Sequence, residues 1–351
     1  MTRVWAEINL QNLIYNAKLL KQRLEGAALM AVIKADAYGH GAVRVAKALE
    51  SVLDGRDFLA VASVAEAFEL RDSSITLPIL ILGYTPAEYV PELIARDITQ
   101  TVYEMEYAHE LSKWAGDLNL NVHLKVDTGM NRLGIRTEPE ARYILGMKGL
   151  RVSGMFTHLA SADTPNDMYT KNQLARFKKF RENLGDIKIT HCANSGAVLY
   201  YKGSYCEMAR SGLLLFGASA PEFKPVMTLK ARIAQVKIVP PGERISYDGT
   251  YRAERVMQIA VVCAGYADGY MRSLSGCGVA VCGGERVPVV GRVCMDMLML
   301  DVSAVPTAQR GDTVTLFGSG GPAVRELAGL AGTIPYELLC AVSRRVPRIY
   351  V

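Results

Sequence analysis

The chain has 351 residues, a formal net charge of +5 and a hydrophobic fraction of 50%, which suggests two domains, or one large barrel with an appendage, and ample material for a core. Lys and Arg are scattered apart from short groups such as Lys178-Lys179 and Arg344-Arg345, which argues against a nucleic-acid surface. Seven cysteines, odd in number and without a CxxC pair, argue against a disulfide framework or a metal site and favour a reducing compartment, the cytoplasm. The opening "MTRVWAEINL" lacks the layout of a signal peptide, and no apolar run reaches the roughly 18 residues a membrane span needs.

In chain order, "RVWAEINL" is strand-like and precedes a regular beat. Short apolar, β-branched runs recur: "LMAVIKA" from Leu29, "FLAVAS" from Phe58, "PILILGY" from Pro78, "ITQTVY" from Ile98, "NVHLKVD" from Asn121, "RVSGMFTHL" from Arg151, "KITHCANS" from Lys188 and "CEMARSG" from Cys206. Amphipathic stretches such as "GAVRVAKALES" and "YTKNQLARFKKFRENL" lie between most of them. Continuous apolar strands alternating with helices predict a parallel sheet buried on both faces. Eight units favour a closed (β/α)8 TIM barrel over an open doubly wound sheet. After Pro225 the pattern changes to turn-separated strands, from "MTLKARIAQVKIV" to "DTVTLFG". That predicts an α/β barrel over residues 9–224 and a mostly β C-terminal domain over 225–351, with the strand at 1–8 pairing into it. A helical stretch near 323–343 and the tail "RVPRIYV" follow. "FGSGG" lacks the GK[ST] ending of a phosphate loop and reads as a turn.

The first apolar strand ends on a lysine, Lys34. A lysine there either snorkels to the surface or, desolvated, has its pKa lowered toward neutrality and becomes a nucleophile toward carbonyls. Active sites of barrels lie at the C-terminal ends of the strands. Other strand ends add Lys125 and Arg132 in "HLKVDTGMNRLG", His158 in "FTHLA", and Ser195, Gly196, Ser211 and Gly212 in "HCANSGAV" and "MARSGLLLFG". Each glycine alone is a simple turn. Together the last two strand ends match the usual phosphate seat of a barrel. A lysine, an arginine, a histidine and a phosphate seat on one rim suit pyridoxal 5′-phosphate better than a sugar phosphate, since the lysine needs an aldehyde.

The series "AVIKADAYGHG", "LKVDTGMNRLG", "HCANSGAV", "ISYDGTY", "GYADGY", "GRVCMDM" and "TIPYELLC" resembles the motif series of the alanine racemase family, in order, from about Trp5 to the C-terminus. The resemblance implies a pyridoxal-phosphate-dependent isomerase that interconverts L- and D-alanine with two bases and supplies D-alanine for the peptidoglycan of the cell wall. It also implies a homodimer whose active sites borrow residues from the partner's β domain. Lys34 would hold the cofactor as a Schiff base and act as one base, and Tyr247 from the second subunit as the other. Tyr38, Ser195, Gly212, Leu213 and Tyr336 would hold the phosphate, and Arg210 would face the pyridine nitrogen. Arg132 would contact the ring hydroxyl and the substrate carboxylate, and His158 would stand between Arg210 and Tyr247. Met295 would offer its backbone N–H to the substrate, with Tyr266 and Asp296 beside it. In some members the lysine matching Lys125 is carbamylated and braces the arginine.

Asp248 and Gly249 stand where many relatives have Gly and Ala, and Met297 where glutamine is frequent. A carboxylate beside Tyr247 is expected to raise its pKa unless it points to solvent. Tyr336 favours alanine, since the position is less bulky in related serine racemases. Other readings are a serine or broad-specificity racemase, a related decarboxylase, for which Arg210 is the wrong partner of a pyridine nitrogen, and a non-catalytic pyridoxal-phosphate-binding protein, which the β domain with Tyr247 argues against. Without the resemblance, Tyr247 reads as a half-buried strand tyrosine.

Overall fold

The computed structural model describes residues 2–185 and 187–351. The chain divides into two compact units, one of residues 17–37 and 42–215, the other of residues 1–16, 38–41 and 216–351. The strands are β1 (Val4–Ile8), β2 (Ala28–Val32), β3 (Phe58–Val61), β4 (Ile79–Ile81), β5 (Ile98–Val102), β6 (Leu120–Lys125), β7 (Leu150–Phe156), β8 (Ile189–His191) and β9 (Met208–Ser211). They continue with β10 (Met227–Val239), β11 (Arg244–Ile245), β12 (Tyr251–Arg252), β13 (Met257–Val262), β14 (Val279–Cys282), β15 (Glu285–Pro288), β16 (Leu298–Asp301), β17 (Thr313–Phe317) and β18 (Arg348–Tyr350).

In the first unit, β2 to β9 form one parallel sheet in the order β8-β7-β6-β5-β4-β3-β2-β9. This is the barrel. Its strands β3, β4 and β5 are buried at every position, as expected of parallel strands covered on both faces. Helices follow most strands, among them Ala42–Leu49 with Val45, Ala46 and Leu49 buried, and Met168–Leu184 with Phe177 and Phe180 buried. Among the described residues no ladder joins β8 to β9. There the ring is closed by the Arg210 N–H, which donates to the Ala193 carbonyl at 3.0 Å.

In the second unit the longest strand, β10, is the spine. β1 pairs antiparallel with it, Val4 opposite Ala231 and Ile8 opposite Met227, and β18 runs parallel on the other side of β1. β17 and β13 also pair with β10, β14 with β17, β15 with β14, and β16 with β13. A small apolar core of Val239, Ile245, Ala253, Met257, Ile259 and Val290 lies here. The stretch near 323–343 is two helices, Val324–Ala331 and Pro335–Ala341. Gly332, at φ +70°, ends the first, and Pro335 starts the second, each doing what its backbone favours. "FGSGG" is a turn, in which the Gly321 N–H donates to Gly318 O.

The first barrel strand stops at Val32, two residues before Lys34. Ala35, Asp36, Ala37 and Tyr38 all sit at φ +53°, and Gly39 at +78°. Lys34 therefore opens a left-handed helical turn rather than closing a strand. Each such L-residue costs about 1–2 kcal/mol. Partly buried acceptors hold the entry: Glu66 takes the N–H groups of Ala35 and Ala62, both at 2.6 Å, and Asp36 takes that of Ala42 at 2.8 Å.

Asp57 anchors the start of the strand that leads to Lys34. Its buried carboxylate accepts from the Leu29 N–H at 2.7 Å, the Asp54 N–H at 2.9 Å and Lys21 Nζ at 2.5 Å. Asp57→Asn turns an amide against two donors and is expected to cost about 2–3 kcal/mol in urea unfolding. An unchanged midpoint would show that the carboxylate contributes nothing net.

Candidate active site

The parallel strands bring the barrel candidates to one rim. Lys34 follows β2, Lys125 is the last residue of β6, His158 lies just past β7, Ser195 follows β8, and Arg210 is in β9. Arg132 lies on the exposed loop after β6. Ser195, buried, accepts the Gly212 N–H at 3.2 Å and lies 3.4 Å from Ser211 Oγ. Leu213, next in the chain, is buried. The predicted phosphate seat is thus a tight group of hydroxyls and amides.

Arg210 is almost wholly buried. Its Nη1 donates to His191 O at 3.0 Å and His191 Nδ1 at 2.8 Å. Its Nη2 donates to Thr157 O at 2.7 Å and Cys192 O at 3.2 Å, and approaches His158 Nδ1 at 3.3 Å. Among the described residues no hydrogen bond uses its Nε and no carboxylate pairs with it. Burial pushes its pKa down to about 10.

A guanidinium only donates, so the tautomers follow. His191 Nδ1 must accept, which leaves its proton on Nε2 to donate to His123 Nδ1 at 2.9 Å. The proton of His123 is then on Nε2, which has no polar partner among the described residues. That nitrogen would lie only 2.6 Å from a Cβ at position 154, so Gly154 is required there. His158 likewise accepts through Nδ1. His191 stacks on Phe156, with ring centroids 4.7 Å apart.

Burial, and then the charge of Arg210, hold His191 well below the usual histidine range. The same two causes bring His123 to about 3. His158 is lowered by burial and by the fields of Arg210, Arg132, Lys125 and Lys34. Lys125, buried at the rim, is brought down to about 8 by burial and by Arg132 and Arg210, with Asp127 opposing. Arg210, Lys125 and Arg132 make the rim electropositive, with Asp127 as a partial counter-charge to Lys125, and such a rim suits a ligand carrying negative charge.

In the second unit, the rings of Tyr38 and Tyr336 lie 5.6 Å apart, and Tyr38 packs 5.2 Å from Phe216. Tyr247 is 68% exposed and starts a single short turn, Tyr247–Gly249, so it is not a strand residue. It lines a cleft of about 630 Å³ with Met295, Asp296, Met297 and Ile238. Asp248 does not stand alone against Tyr247: it pairs with Arg292 at 2.8 Å. Tyr266 is tied to this region, its N–H donating to Cys294 O at 3.0 Å.

Asp268, fully buried, organises the group. It accepts from Arg3 Nη2 at 2.9 Å, Arg345 Nε at 2.8 Å and the Gly265 N–H at 3.0 Å. Arg345 also donates to Asp296 Oδ1 at 2.7 Å. None of Asp268, Arg3, Arg345, His123 or His191 emerges from sequence reasoning as a site residue. The signals were the aspartate inside "GYADGY" and the histidine that opens "HCANSGAV".

Two family models match: "Alanine racemase, N-terminal domain" over residues 8–220 and "Alanine racemase, C-terminal domain" over residues 226–350. An alanine racemase of Desulfovibrio desulfuricans is 43% identical, over 99% of this chain and 98% of its own. Among solved structures, alanine racemase of Clostridium difficile 630 superposes with a TM-score of 0.92 at 40% identity, covering 100% of this chain and 96% of that one. Alanine racemase of Bartonella henselae, solved with covalently bound pyridoxal phosphate, superposes with a TM-score of 0.92 at 26% identity over 100% of both chains. A parallel barrel with a cationic rim, joined to a mostly β unit, is thus the architecture of a pyridoxal-phosphate-dependent racemase. The chain belongs to the alanine racemase family, and its reaction is the interconversion of L- and D-alanine.

The buried histidines set a pH dependence. In the unfolded chain they have pKa values near 6.5, whereas folded His123 and His191 stay neutral far below that. Below pH 6.5 the unfolded state therefore binds protons that the folded state does not, and stability falls as pH falls. Going from pH 7 to pH 5 is expected to cost about 2 kcal/mol for each of the two. Nitrogen-15 spectra of the folded protein should show both imidazoles neutral, with Nε2 protonated, across that range. An imidazole at either position that titrates near 6.5 in the folded protein would contradict the assignment.

Proposed function

We propose that the rim residues bind pyridoxal 5′-phosphate and that Lys34 and Tyr247 move the α-proton of alanine on its two faces. The observation that carries this reading is the buried Arg210, whose Nε is unused while its other nitrogens are saturated by protein acceptors. That leaves one buried, charged donor for an acceptor from outside the protein, as a pyridine nitrogen would be. The group of Ser195, Ser211 and Gly212 fits a phosphate, with Leu213, Tyr38 and Tyr336 as its further contacts.

When bound, the cofactor supplies an electron sink that makes the α-proton removable. Arg210 would hold the ring nitrogen by donating to it and, with a pKa near 10, would keep its own proton at neutral pH. Arg132 takes the substrate carboxylate, a bidentate match. Lys34 removes or returns the proton on one face and Tyr247 on the other, so racemisation needs no rotation of the substrate. His158, held neutral, relays between Arg210 and Tyr247 through hydrogen bonds rather than charge. Met295 offers its backbone N–H, with Tyr266 and Asp296 beside it. The Arg292 partner of Asp248 offsets the carboxylate next to the base.

The active form in this reading is a homodimer in which Tyr247 serves the partner's barrel. Large exposed side chains around the cleft, Ile238, Tyr247, Met295 and Met297, suit burial in such an interface. Its place is the cytoplasm, where D-alanine enters the making of peptidoglycan. The depressed Lys125 has a substantial neutral fraction near pH 8, which is the form that captures carbon dioxide as a carbamate, and a carbamate beside Arg132 would convert a repulsion into an ion pair.

The loaded enzyme should convert L-alanine to an equal mixture of enantiomers, with L-serine much slower, by chiral chromatography. Comparable serine conversion would move the reading to a broad-specificity racemase. Lys34→Ala should abolish both directions and the absorbance of the bound cofactor. Tyr247→Phe should keep that absorbance and slow the reaction by at least about 10²-fold; full activity would overturn the two-base assignment. Removal of bicarbonate should lower activity reversibly if Lys125 is carbamylated, and leave it unchanged if it is not.

A further inference from the structure

The barrel's weakest seam lies between β8 and β9, where no ladder is formed among the described residues. Besides the Arg210 N–H bond to Ala193 O, it is bridged by Glu207, which accepts from the N–H and the Oγ1 of Thr190 at 2.9 Å and 2.5 Å and pairs with Arg181. Two cysteines also cross it. Cys192 follows β8 and is buried; Cys206 precedes β9 and is partly exposed. Their sulfurs are 3.8 Å apart, and Cys192 Sγ donates to Ser204 O at 3.0 Å. Cys206 holds a φ of +53°, unusual for a residue that is not glycine.

We propose that Cys192 and Cys206 are a reversible dithiol–disulfide site, oxidised by hydroperoxides, that staples the β8–β9 seam. The accessible member is Cys206, and it is also the better nucleophile. The neighbouring Cys192 brings the Cys206 pKa down to about 7; Thr190 and Arg181 add to this, while burial and Glu207 oppose it. Cys192 is held as the thiol by Cys206 and by burial, with the charge of Arg210 opposing. The Cys206 thiolate attacks one peroxide oxygen. The O–O bond breaks, and the departing hydroxide takes up a proton and leaves as water (or as the alcohol, for an organic peroxide). Cys206 is then a sulfenic acid. Cys192 Sγ attacks that sulfur, the S–O bond breaks, and the hydroxyl leaves as water with the Cys192 proton. Two electrons pass from the sulfurs to the peroxide.

The sulfurs must close from 3.8 Å to about 2.05 Å. Cys206 lies in the irregular stretch between the Lys202–Ser204 turn and β9, which can supply that movement. The bond closes a loop of roughly 15 residues that contains Ser195. The stapling is independent of which amino acid the enzyme racemises, so the test reads the thiols and not the turnover.

The cofactor-loaded, reduced protein is treated with graded hydrogen peroxide, its remaining thiols are alkylated in denaturant, and tryptic peptides are analysed without reduction. Cleavage at Lys202 separates the two cysteines. The expected result is a peptide pair cross-linked through Cys192 and Cys206, lost on adding dithiothreitol, with Tm raised by roughly 5 °C. Cys206→Ser should abolish the cross-link. Cys192→Ala should leave a Cys206 sulfenic acid that dimedone traps. Two free thiols at doses that already oxidise the exposed Cys277 would overturn the proposal. So would a Cys206 that runs on to sulfinic acid with no cross-link in the unmodified chain.

Discussion

A buried guanidinium that no carboxylate pairs with among the described residues governs the barrel. Arg210 is desolvated, and isolated buried charge is expensive. The protein meets this with three carbonyl oxygens and two imidazole nitrogens. Each imidazole can accept only while neutral. The same charge that requires neutral histidines also keeps them neutral, because protonation beside Arg210 is repelled. The tautomers of His191 and His123 follow from that charge, and it adds, after burial and Arg132, to the lowering of the Lys125 pKa. The main chain of the same residue also forms the bond across the β8–β9 seam.

The second unit solves the opposite problem. Asp268 is a buried carboxylate, and two partly exposed arginines, Arg3 and Arg345, reach it from opposite ends of the chain. Arg345 extends the network to Asp296. The first strand, the Gly265–Gly269 turn and the Cys294–Met297 turn are thereby held to one another, which orders Tyr266, Met295 and Asp296 although all three side chains are exposed. Among the described residues, one buried guanidinium in the barrel is held by neutral acceptors, whereas in the β unit two guanidiniums neutralise a buried acid.

Much of this was legible in the sequence. Continuous apolar strands, such as β3 and β4, read correctly because burial on both faces leaves no alternation to misjudge. The residues at their C-terminal ends were visible for the same reason. The turn after Lys34 was not. Two alanines in "KADAYG" favour a right-handed helix by propensity, and nothing local announces the opposite hand; only Glu66 and Asp36, which cap it, specify that. His123 was hidden because a lone histidine in an apolar strand is usually core. The Cys192–Cys206 pair was hidden because their spacing matches no motif, and sulfur proximity there depends on the order in which β8 and β9 meet.

The left-handed turn has a stereochemical consequence. A backbone at φ +53° is where a residue of the D series rests without strain. Ala35 and Ala37 are thus L-alanines held in the conformation natural to D-alanine, in a protein whose chemistry exchanges the two. The strain is the crowding of each methyl against its own main-chain carbonyl, which a residue of the opposite hand avoids. A chemically assembled chain with D-alanine at these two positions would relax the turn while keeping its path, and the segment that delivers Lys34 would then stand without the tension that its own handedness now imposes.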